Sequence, residues 1–274
     1  QYYKLKIIYQ YLHIIIYVLK RNIVSTSFME GSSFNKIANE YHTKRKKPWR
    51  PLEFFINFLK SKNYSFRGIL LDLGCANGRN FKIMNSPPNK LVGIDISLNL
   101  LKIANSNLKN TVHFSPNESK YFQLVQADII NLPIRDKSIN TIFSIATIHH
   151  IRKKSERKST LIQMHEILKE KGKLVLTVWR KWQKKFRDFF LLEWIRRNFS
   201  LGYKNQQKMR GLEEFGDKYV PWTLKKQNDV YNRFYHFFSK RELKKLVKIF
   251  KILEFKIMGG PNNRDNFFIF VQKS

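Results

Sequence analysis

Short apolar runs that meet an aspartate at their end recur along the middle of the chain, with helix-like segments between them. The first three are residues 69–73 with Asp72, 91–95 with Asp95, and 121–127 with Asp128. Two more apolar runs follow at 141–146 and 173–179. Strands separated by helices need crossover connections, which give a parallel sheet, and strands that are apolar throughout are covered on both faces. We therefore predict an α/β fold with a doubly wound, mostly parallel sheet.

The end of the chain departs from this alternation. Two strand-like runs, 252–258 and 266–272, are joined by Gly-Gly-Pro-Asn-Asn at 259–263, which is typical of a hairpin turn. The last strand is therefore predicted to be antiparallel. Helices are predicted at 34–41, 52–59, 97–104, 154–169 and 240–250. The polar stretch 105–120 is expected to form a long loop or an insertion.

The amino-terminal part has a different character from the rest. Residues 7–19 are mostly apolar, but this run is shorter than the roughly 20 residues that a membrane span needs. We interpret residues 1–33 as an extension, with Met29 as a plausible start; an extra packing helix and a membrane anchor are the alternatives. Residues 34–274 are predicted to form one domain with a basic, aromatic insertion at about 180–235.

The charge of the chain narrows the choice of partners. Lysine and arginine number 52 against 20 acidic residues, a net charge of +32. Such a charge favours polyanions, with nucleic acid first and anionic membrane second, although A/T-rich codon usage accounts for part of it. The single cysteine, Cys75, excludes an internal disulfide and a cysteine-based zinc site within the chain. We expect a reducing compartment, the cytoplasm or the nucleus, and no metal site.

The loop after the first predicted strand carries the first sign of chemistry. It reads Asp-Leu-Gly-Cys-Ala-Asn-Gly at 72–78, where glycines allow a ligand close to the backbone. Asp95, at the end of the next strand, suits the two hydroxyls of a ribose, and Asp128 suits an adenine edge. The loop lacks the third glycine and the basic residue expected for a pyrophosphate. S-adenosylmethionine is therefore favoured over a dinucleotide.

At this loop the chain resembles class I methyltransferases, and further motifs narrow the resemblance to the eukaryotic enzymes that esterify 5-carboxymethyluridine at the tRNA wobble position. These motifs are Asn-Leu-Pro-Ile-Arg-Asp at 131–136, Ser-Ile-Ala-Thr-Ile-His-His at 144–150, Tyr-Val-Pro-Trp at 219–222 and Arg-Phe-Tyr-His-Phe-Phe at 233–238. The resemblance covers about residues 34–273. Two features depart from it: Ala76 stands where the family usually has glycine, and 105–120 lengthens the path to the third strand.

The resemblance implies a reaction, a cofactor and partners. The reaction is methyl esterification with S-adenosylmethionine as cofactor, on the anticodon loop of tRNA. A small zinc-binding activator protein is implied as a further partner. The cofactor-binding residues are expected to be Asp72, Gly74, Cys75, Gly78, Asp95, Ile96, Asp128, Ile129 and Ile145. The substrate-binding residues are expected to be Lys47, Trp49, His150, Trp222 and Arg233.

Two residues are predicted to be catalytic. A carboxylate acceptor is already ionised at neutral pH and needs no general base, so positioning carries the catalysis. Arg45 is expected to pair with the acceptor carboxylate, and His149 to orient the acceptor. One histidine of the pair His149 and His150 is expected to be a buried structural residue. Residues 180–222 interleave cations with aromatics and are predicted to contact tRNA. The alternatives are a quinone-pathway-type small-molecule methyltransferase and a non-catalytic tRNA-binding relative.

Overall fold

The computed structural model describes residues 28–84, 89–110, 122–224 and 229–274. Its helices are α1 (Phe28–Lys44), α2 (Arg50–Ser61), α3 (Phe81–Met84), α4 (Leu98–Asn110), α5 (Lys154–Ile167), α6 (Arg187–Phe199), α7 (Leu201–Met209) and α8 (Lys240–Leu246). A 3₁₀-helical turn covers Ile148–His150. Its strands are β1 (Ile69–Leu73), β2 (Lys90–Asp95), β3 (Phe122–Gln126), β4 (Ile139–Ile145), β5 (Leu168–Trp179), β6 (Asp217–Thr223), β7 (Val230–His236), β8 (Phe250–Met258) and β9 (Asn266–Lys273).

Seven of these strands form one sheet in the order β3-β2-β1-β4-β5-β9-β8. Strands β1 to β5 pair in parallel, whereas β9 lies antiparallel between β5 and β8. The predicted fold class and the antiparallel last strand are both confirmed. Because β1, β2 and β3 are adjacent, the chain emerges from all three at one edge of the sheet.

Helices cover the sheet on both faces, as the apolar strands predict. On one face, Leu71 and Leu73 pack with α5 through Leu161, Met164 and Ile167. The other face of the sheet carries a separate buried cluster. Its members include Leu70 of β1, Leu52, Phe55, Ile56 and Leu59 of α2, and Leu101 and Ala104 of α4. Alternate residues of one strand therefore supply two cores, which is the doubly wound arrangement.

Several helix boundaries differ from the sequence-based expectation. The helix expected at 154–169 ends at Ile167, where β5 begins, and the helix expected at 240–250 ends at Leu246. Helix α1 begins at Phe28 rather than residue 34. Helix α4, whose Leu100 amide is capped by the Ser97 hydroxyl at 3.2 Å, continues to Asn110, so the prediction of a loop from residue 105 is wrong as far as residue 110. The reason is packing, because Leu108 contacts the core and Asn107 donates to the Asn77 carbonyl at 2.9 Å. Residues 111–120 of that expected loop lie outside the described residues.

The amino-terminal apolar run at 7–19 also lies outside the described residues. Within the ranges that the structure describes, no helix is long and apolar enough to cross a membrane.

The insertion between β5 and α8 consists of helices α6 and α7 followed by the β6–β7 hairpin. An aromatic cluster attaches it to the end of β5. In this cluster Phe186, Phe190 and Phe237 are buried, and Trp179 stacks on Tyr235 with 4.4 Å between ring centroids. The insertion is thus packed onto the sheet.

A buried network of charged side chains also joins the insertion to the rest of the domain. His236 lies between two carboxylates, with Nδ1 2.7 Å from Asp217 Oδ1 and Nε2 2.6 Å from Glu242 Oε1. Arg157 pairs with Glu214, and Lys181 Nζ lies 3.8 Å from Glu242 Oε2. Possible metal-ligand atoms of Glu214, His236 and Glu242 lie within 4.8 Å of one another. Both imidazole nitrogens already have carboxylate partners, so the geometry is that of an ion-pair network.

The His236 imidazole is held in its charged form by this network. Burial alone lowers the pKa of His236, but hydrogen bonds with Asp217 and Glu242 outweigh it and raise the pKa above its ordinary value of 6.5. A raised pKa in the folded state means that the charged imidazole contributes stability below the unfolded pKa. That contribution is lost as the pH rises through the folded pKa.

We predict that His236→Gln lowers the free energy of unfolding by about 3 kcal/mol, because it leaves buried carboxylates without their cation. The loss should be larger at about pH 6 than at about pH 8, because the imidazolium contributes only while it is protonated. Urea unfolding at both pH values measures the effect, and Lys251→Gln at an exposed site is the control. Equal losses at the two pH values would contradict the assignment.

Candidate cofactor and substrate site

A cavity of about 820 Å³ opens at the edge of the sheet where β1, β2 and β3 end. One wall comes from residues that follow these strands, including Gly74, Asp95 and Asp128. The opposite wall comes from α1, the 3₁₀-helical turn and β7, and includes Tyr41, His150 and Arg233 among its residues. The cavity therefore lies between the sheet and the insertion.

The loop after β1 is tightly folded. Gly74 has a φ of 74°, and a Cβ atom there would lie 2.4 Å from the Thr147 side chain, so only glycine fits. Ala76 has a φ of 50°, in the left-handed region that disfavours residues with a Cβ atom. Ala76 is also the position where the loop departs from the family pattern, in which glycine is usual. The turn directs the Ala76 amide to Asp95 Oδ2, 2.8 Å away.

The two acidic residues of β1 and β2 share one environment. Burial and the neighbouring Asp95 carboxylate raise the pKa of Asp72 to about 8, against the attraction of Arg79. Burial raises the pKa of Asp95 to about 6, opposed by hydrogen bonds from backbone amides such as that of Ser97. Near neutral pH the pair therefore carries one negative charge, on Asp95. Asp95 lines the cavity, whereas Asp72 lies beneath it.

Asp128 offers an unused acceptor to the cavity. Its Oδ1 accepts a hydrogen bond from the Ile130 amide at 3.0 Å, while its Oδ2 is buried with no hydrogen-bond partner among the described residues. Buried polar atoms normally have partners, so this oxygen suits a ligand amine. An ionised Asp95 suits ribose hydroxyls, and Arg79 in the same wall suits a carboxylate. This set of groups fits the adenosine and methionine parts of S-adenosylmethionine.

The opposite wall combines cations with aromatic rings. The Arg233 guanidinium lies 4.7 Å from the centroid of the Trp222 ring and 5.2 Å from that of Tyr235. Tyr41 stacks on Trp222 with 6.0 Å between centroids, and Arg45 lies 5.7 Å from the Tyr41 ring. Cations over aromatic faces are stabilised without a carboxylate partner.

The adjacent histidines are both neutral near pH 7. Burial, and then the nearby His150, lower the pKa of His149 well below its usual range. Burial lowers the pKa of His150 to about 3. His149 Nδ1 accepts from the Trp179 amide at 3.3 Å, which leaves Nε2–H as a donor. His150 Nδ1 donates to the Phe234 carbonyl at 2.9 Å, which leaves Nε2 as an acceptor.

Most residues selected from the sequence line this one cavity. They are Arg45, Trp49, Gly74, Cys75, Asp95, Ile96, Asp128, Ile129, Ile145, His149, His150 and Arg233. Four others do not line it: Asp72 and Trp222 are buried, Gly78 is half-buried at the end of the loop, and Lys47 is exposed. Their proposed roles, like those of the lining residues, stay predictions.

The cavity-wall residues that sequence reasoning missed include Tyr41, Arg79, Trp179 and Tyr235. Arg79 could have been found, because it directly follows the last glycine of the loop. Tyr41, Trp179 and Tyr235 belong to segments far apart in the chain, and nothing in the sequence pairs them.

Comparison with known proteins supports the methyltransferase fold and its cofactor. The family described as "Methyltransferase domain" matches residues 71–176. An S-adenosylmethionine-dependent methyltransferase from Methanosarcina mazei has a TM-score of 0.60 and 18% identity, covering 78% of this chain and 96% of that one. Magnesium protoporphyrin IX methyltransferase from Synechocystis PCC 6803, solved with SAH, has a TM-score of 0.59 and 12% identity, covering 90% and 100%. The chain has a methyltransferase domain and the fold of class I S-adenosylmethionine-dependent methyltransferases.

Curated relatives confirm the resemblance that the motifs indicated. The methyltransferase is 29% identical over 261 residues to the tRNA (carboxymethyluridine(34)-5-O)-methyltransferase of Schizosaccharomyces pombe, covering 88% of this chain and 94% of that protein. It is 28% identical over 191 residues to a putative methyltransferase of Encephalitozoon cuniculi, covering 66% and 81%. The Arabidopsis thaliana protein that shares the S. pombe protein's name is 27% identical over 146 residues, covering 53% and 31%.

The pKa of Asp95 predicts a pH dependence of cofactor binding. Ribose hydroxyls bind the ionised carboxylate, so the affinity of the methyltransferase for S-adenosylhomocysteine should fall as the pH drops below about 6, by up to about tenfold per pH unit. Calorimetric titrations from about pH 5 to 7 measure it. Asp95→Asn should bind weakly with a flat profile, and Asp72→Asn, whose carboxyl is already neutral there, should keep the wild-type slope. A flat wild-type profile would refute the ribose assignment.

The left-handed Ala76 predicts a gain from glycine. Ala76→Gly removes the steric penalty of the left-handed conformation. Glycine also gives the unfolded chain more entropy, which offsets part of this gain, so we expect the free energy of unfolding to rise by about 0.5 to 1 kcal/mol. Ala104→Gly, in the interior of α4, is the matched control and should lower it by about 1 kcal/mol or more. Denaturant unfolding distinguishes the two. A destabilised Ala76→Gly variant would contradict the loop geometry.

Proposed function

We propose that this methyltransferase esterifies the carboxylate of 5-carboxymethyluridine at the wobble position of tRNA. The observation that carries the proposal is the division of charge across the cavity. Asp95 and Asp128 line the cofactor wall, whereas Arg45 and Arg233 line the facing wall, where a carboxylate would be attracted. The named activity of the S. pombe relative, which this chain matches over 94% of its length, supports the same reaction.

S-adenosylmethionine, when bound, supplies an electrophilic methyl group on a sulfonium. The residues of the chain then have to bind and orient the acceptor. The carboxylate is ionised at neutral pH, so it attacks without losing a proton to a base. Guanidinium groups of the facing wall would hold it, and the Nε2–H of neutral His149 is a donor for the acceptor or the uracil ring. Catalysis rests on position rather than on proton transfer.

The surface of the insertion supports a tRNA substrate. Exposed cations and aromatic rings can contact phosphates and unpaired bases. They are Lys184, Arg187, Arg196, Lys204, Lys208 and Arg210 together with Trp182, Trp194 and Phe199. Two basic residues of this segment form ion pairs within the protein and are not part of this surface: Lys181 is buried beside Glu242, and Arg197 pairs with Glu193. A small-molecule methyltransferase would not need this surface.

Two further expectations belong to the same proposal. The zinc-binding activator implied by family resemblance would be a protein partner of the cofactor half of the domain. A cytoplasmic or nuclear location would give the enzyme access to tRNA and keep the free thiol of Cys75 reduced.

The test is methyl transfer from labelled S-adenosylmethionine to tRNA carrying 5-carboxymethyluridine, with and without the zinc-binding activator. We expect label in the tRNA that mild alkali releases, because the product is an ester. Asp95→Ala should give no label, because it lacks the ribose acceptor. Absence of label in the tRNA with activator present would overturn the proposal, and so would label that resists alkali. If the tRNA stays unlabelled while the enzyme labels small molecules, the quinone-pathway-type alternative is favoured.

A further inference from the structure

We propose that Arg233 is the specificity-determining residue of the acceptor site, selecting a carboxylate over a neutral group of the same size. This inference rests on the proposed function, because it concerns the acceptor that the cavity takes beside the cofactor. It assigns the main carboxylate contact to Arg233, with Arg45 as the second cation.

Arg233 is a buried cation with no carboxylate partner among the described residues. Its side chain lines the cavity although the residue is only 7% exposed. Its Nε is buried without a hydrogen-bond partner, and no carboxylate of the described residues forms an ion pair with its guanidinium. Removing an ion from water without a partner is strongly unfavourable. A site that retains such a charge suits a ligand that brings the opposite one.

The acids around the cavity do not neutralise Arg233. Glu156 lies 3.3 Å from Lys153, and both oxygens of Asp95 accept backbone amides. Asp265, near Arg180, is not among the charges that act on Arg233. The charges that do act on Arg233 include the like charge of Arg45. The wall is therefore cationic, and an anionic ligand relieves the repulsion.

The Arg233 side chain is also fixed in place. It projects from β7 opposite Val220 of β6, and its guanidinium lies near the rings of Trp222 and Tyr235. Because these residues are buried, the guanidinium has little freedom to turn away from the cavity. A fixed, planar guanidinium can hold both oxygens of a carboxylate and so set the direction of attack.

Arg45 has a different environment. It follows the end of α1, is only half-buried and lies over the Tyr41 ring. Water screens a half-exposed charge more than a buried one, so Arg45 contributes less to discrimination. A carbamoylmethyl group has the size of a carboxymethyl group but no charge. Bound at Arg233, it would leave the buried cation unpaired, which is the kind of mismatch that sites reject strongly.

The test compares two tRNAs that carry 5-carboxymethyluridine or 5-carbamoylmethyluridine at the wobble position. The enzymes are the wild type, Arg233→Gln, Arg233→Lys and the exposed control Arg67→Gln, which lies outside the cavity and the tRNA surface. We expect Arg233→Gln to lower kcat/KM for the carboxylate tRNA by about 100-fold or more, and Arg233→Lys to restore part of it. S-adenosylhomocysteine affinity should stay within about twofold.

Selectivity is read separately by binding. In equilibrium dialysis with protein loaded with S-adenosylhomocysteine, the wild type should prefer 5-carboxymethyluridine nucleoside to its carbamoyl analogue, and Arg233→Gln should lose this preference. A residue that only stabilises the fold would not change it. If Arg233→Gln prefers the carboxylate nucleoside as strongly as the wild type does, the inference is overturned, even if the wild-type enzyme methylates tRNA. If Arg233→Gln unfolds, complete loss of the preference in Arg45→Gln would also overturn it, because the main contact would then be Arg45.

The two proposals can fail independently. Wild-type enzyme that labels no tRNA but prefers the carboxylate nucleoside refutes the proposed function and leaves the Arg233 subsite standing. Wild-type enzyme that labels tRNA while Arg233→Gln keeps full activity and preference refutes only the subsite.

Discussion

The parallel pairing of β1 with β2 on one side and β4 on the other is the constraint on which the site depends. It places the glycine loop, Asp95 and the 3₁₀-helical turn at one edge of the sheet, although they are far apart in the chain. Holding these groups together costs little additional backbone entropy, because the two apolar cores already fix the strands. A shift of β1 by one residue would exchange its core faces and misplace the loop.

Charge is arranged in opposite senses on the two sides of the cavity. Burial raises the pKa of both Asp72 and Asp95, and the Asp95 carboxylate raises that of Asp72 further, which favours one negative charge on the cofactor side near neutral pH. The other side holds guanidinium groups over aromatic rings, and its histidines are neutral. A reaction between a cationic methyl donor and an anionic acceptor needs this separation, because each reactant is attracted to its own side.

Sequence reasoning reached the sheet and the cofactor side because both depend on local patterns. A strand that ends beside an acid and a glycine loop can be read from neighbouring residues, as Asp95 and Gly74 illustrate. The facing wall depends on contacts between distant segments, so Tyr235 was missed. The sequence-based prediction chose Arg45 rather than Arg233 as the carboxylate contact. The two arginines differ in burial, and the residues next to an arginine in the sequence do not reveal how buried it is. The helical residues 105–110 were misread because their packing is tertiary.

The segment matched by the methyltransferase family, residues 71–176, contains the glycine loop and the acids but neither Arg45 nor Arg233. Those two come from the chain before and after it, on the loop that follows α1 and on the β6–β7 hairpin. In the proposed site, the residues that contact the cofactor and those that contact the acceptor therefore come from different stretches of the chain. A lineage could exchange the hairpin and acquire a new acceptor while the residues that hold the methyl donor stay unchanged.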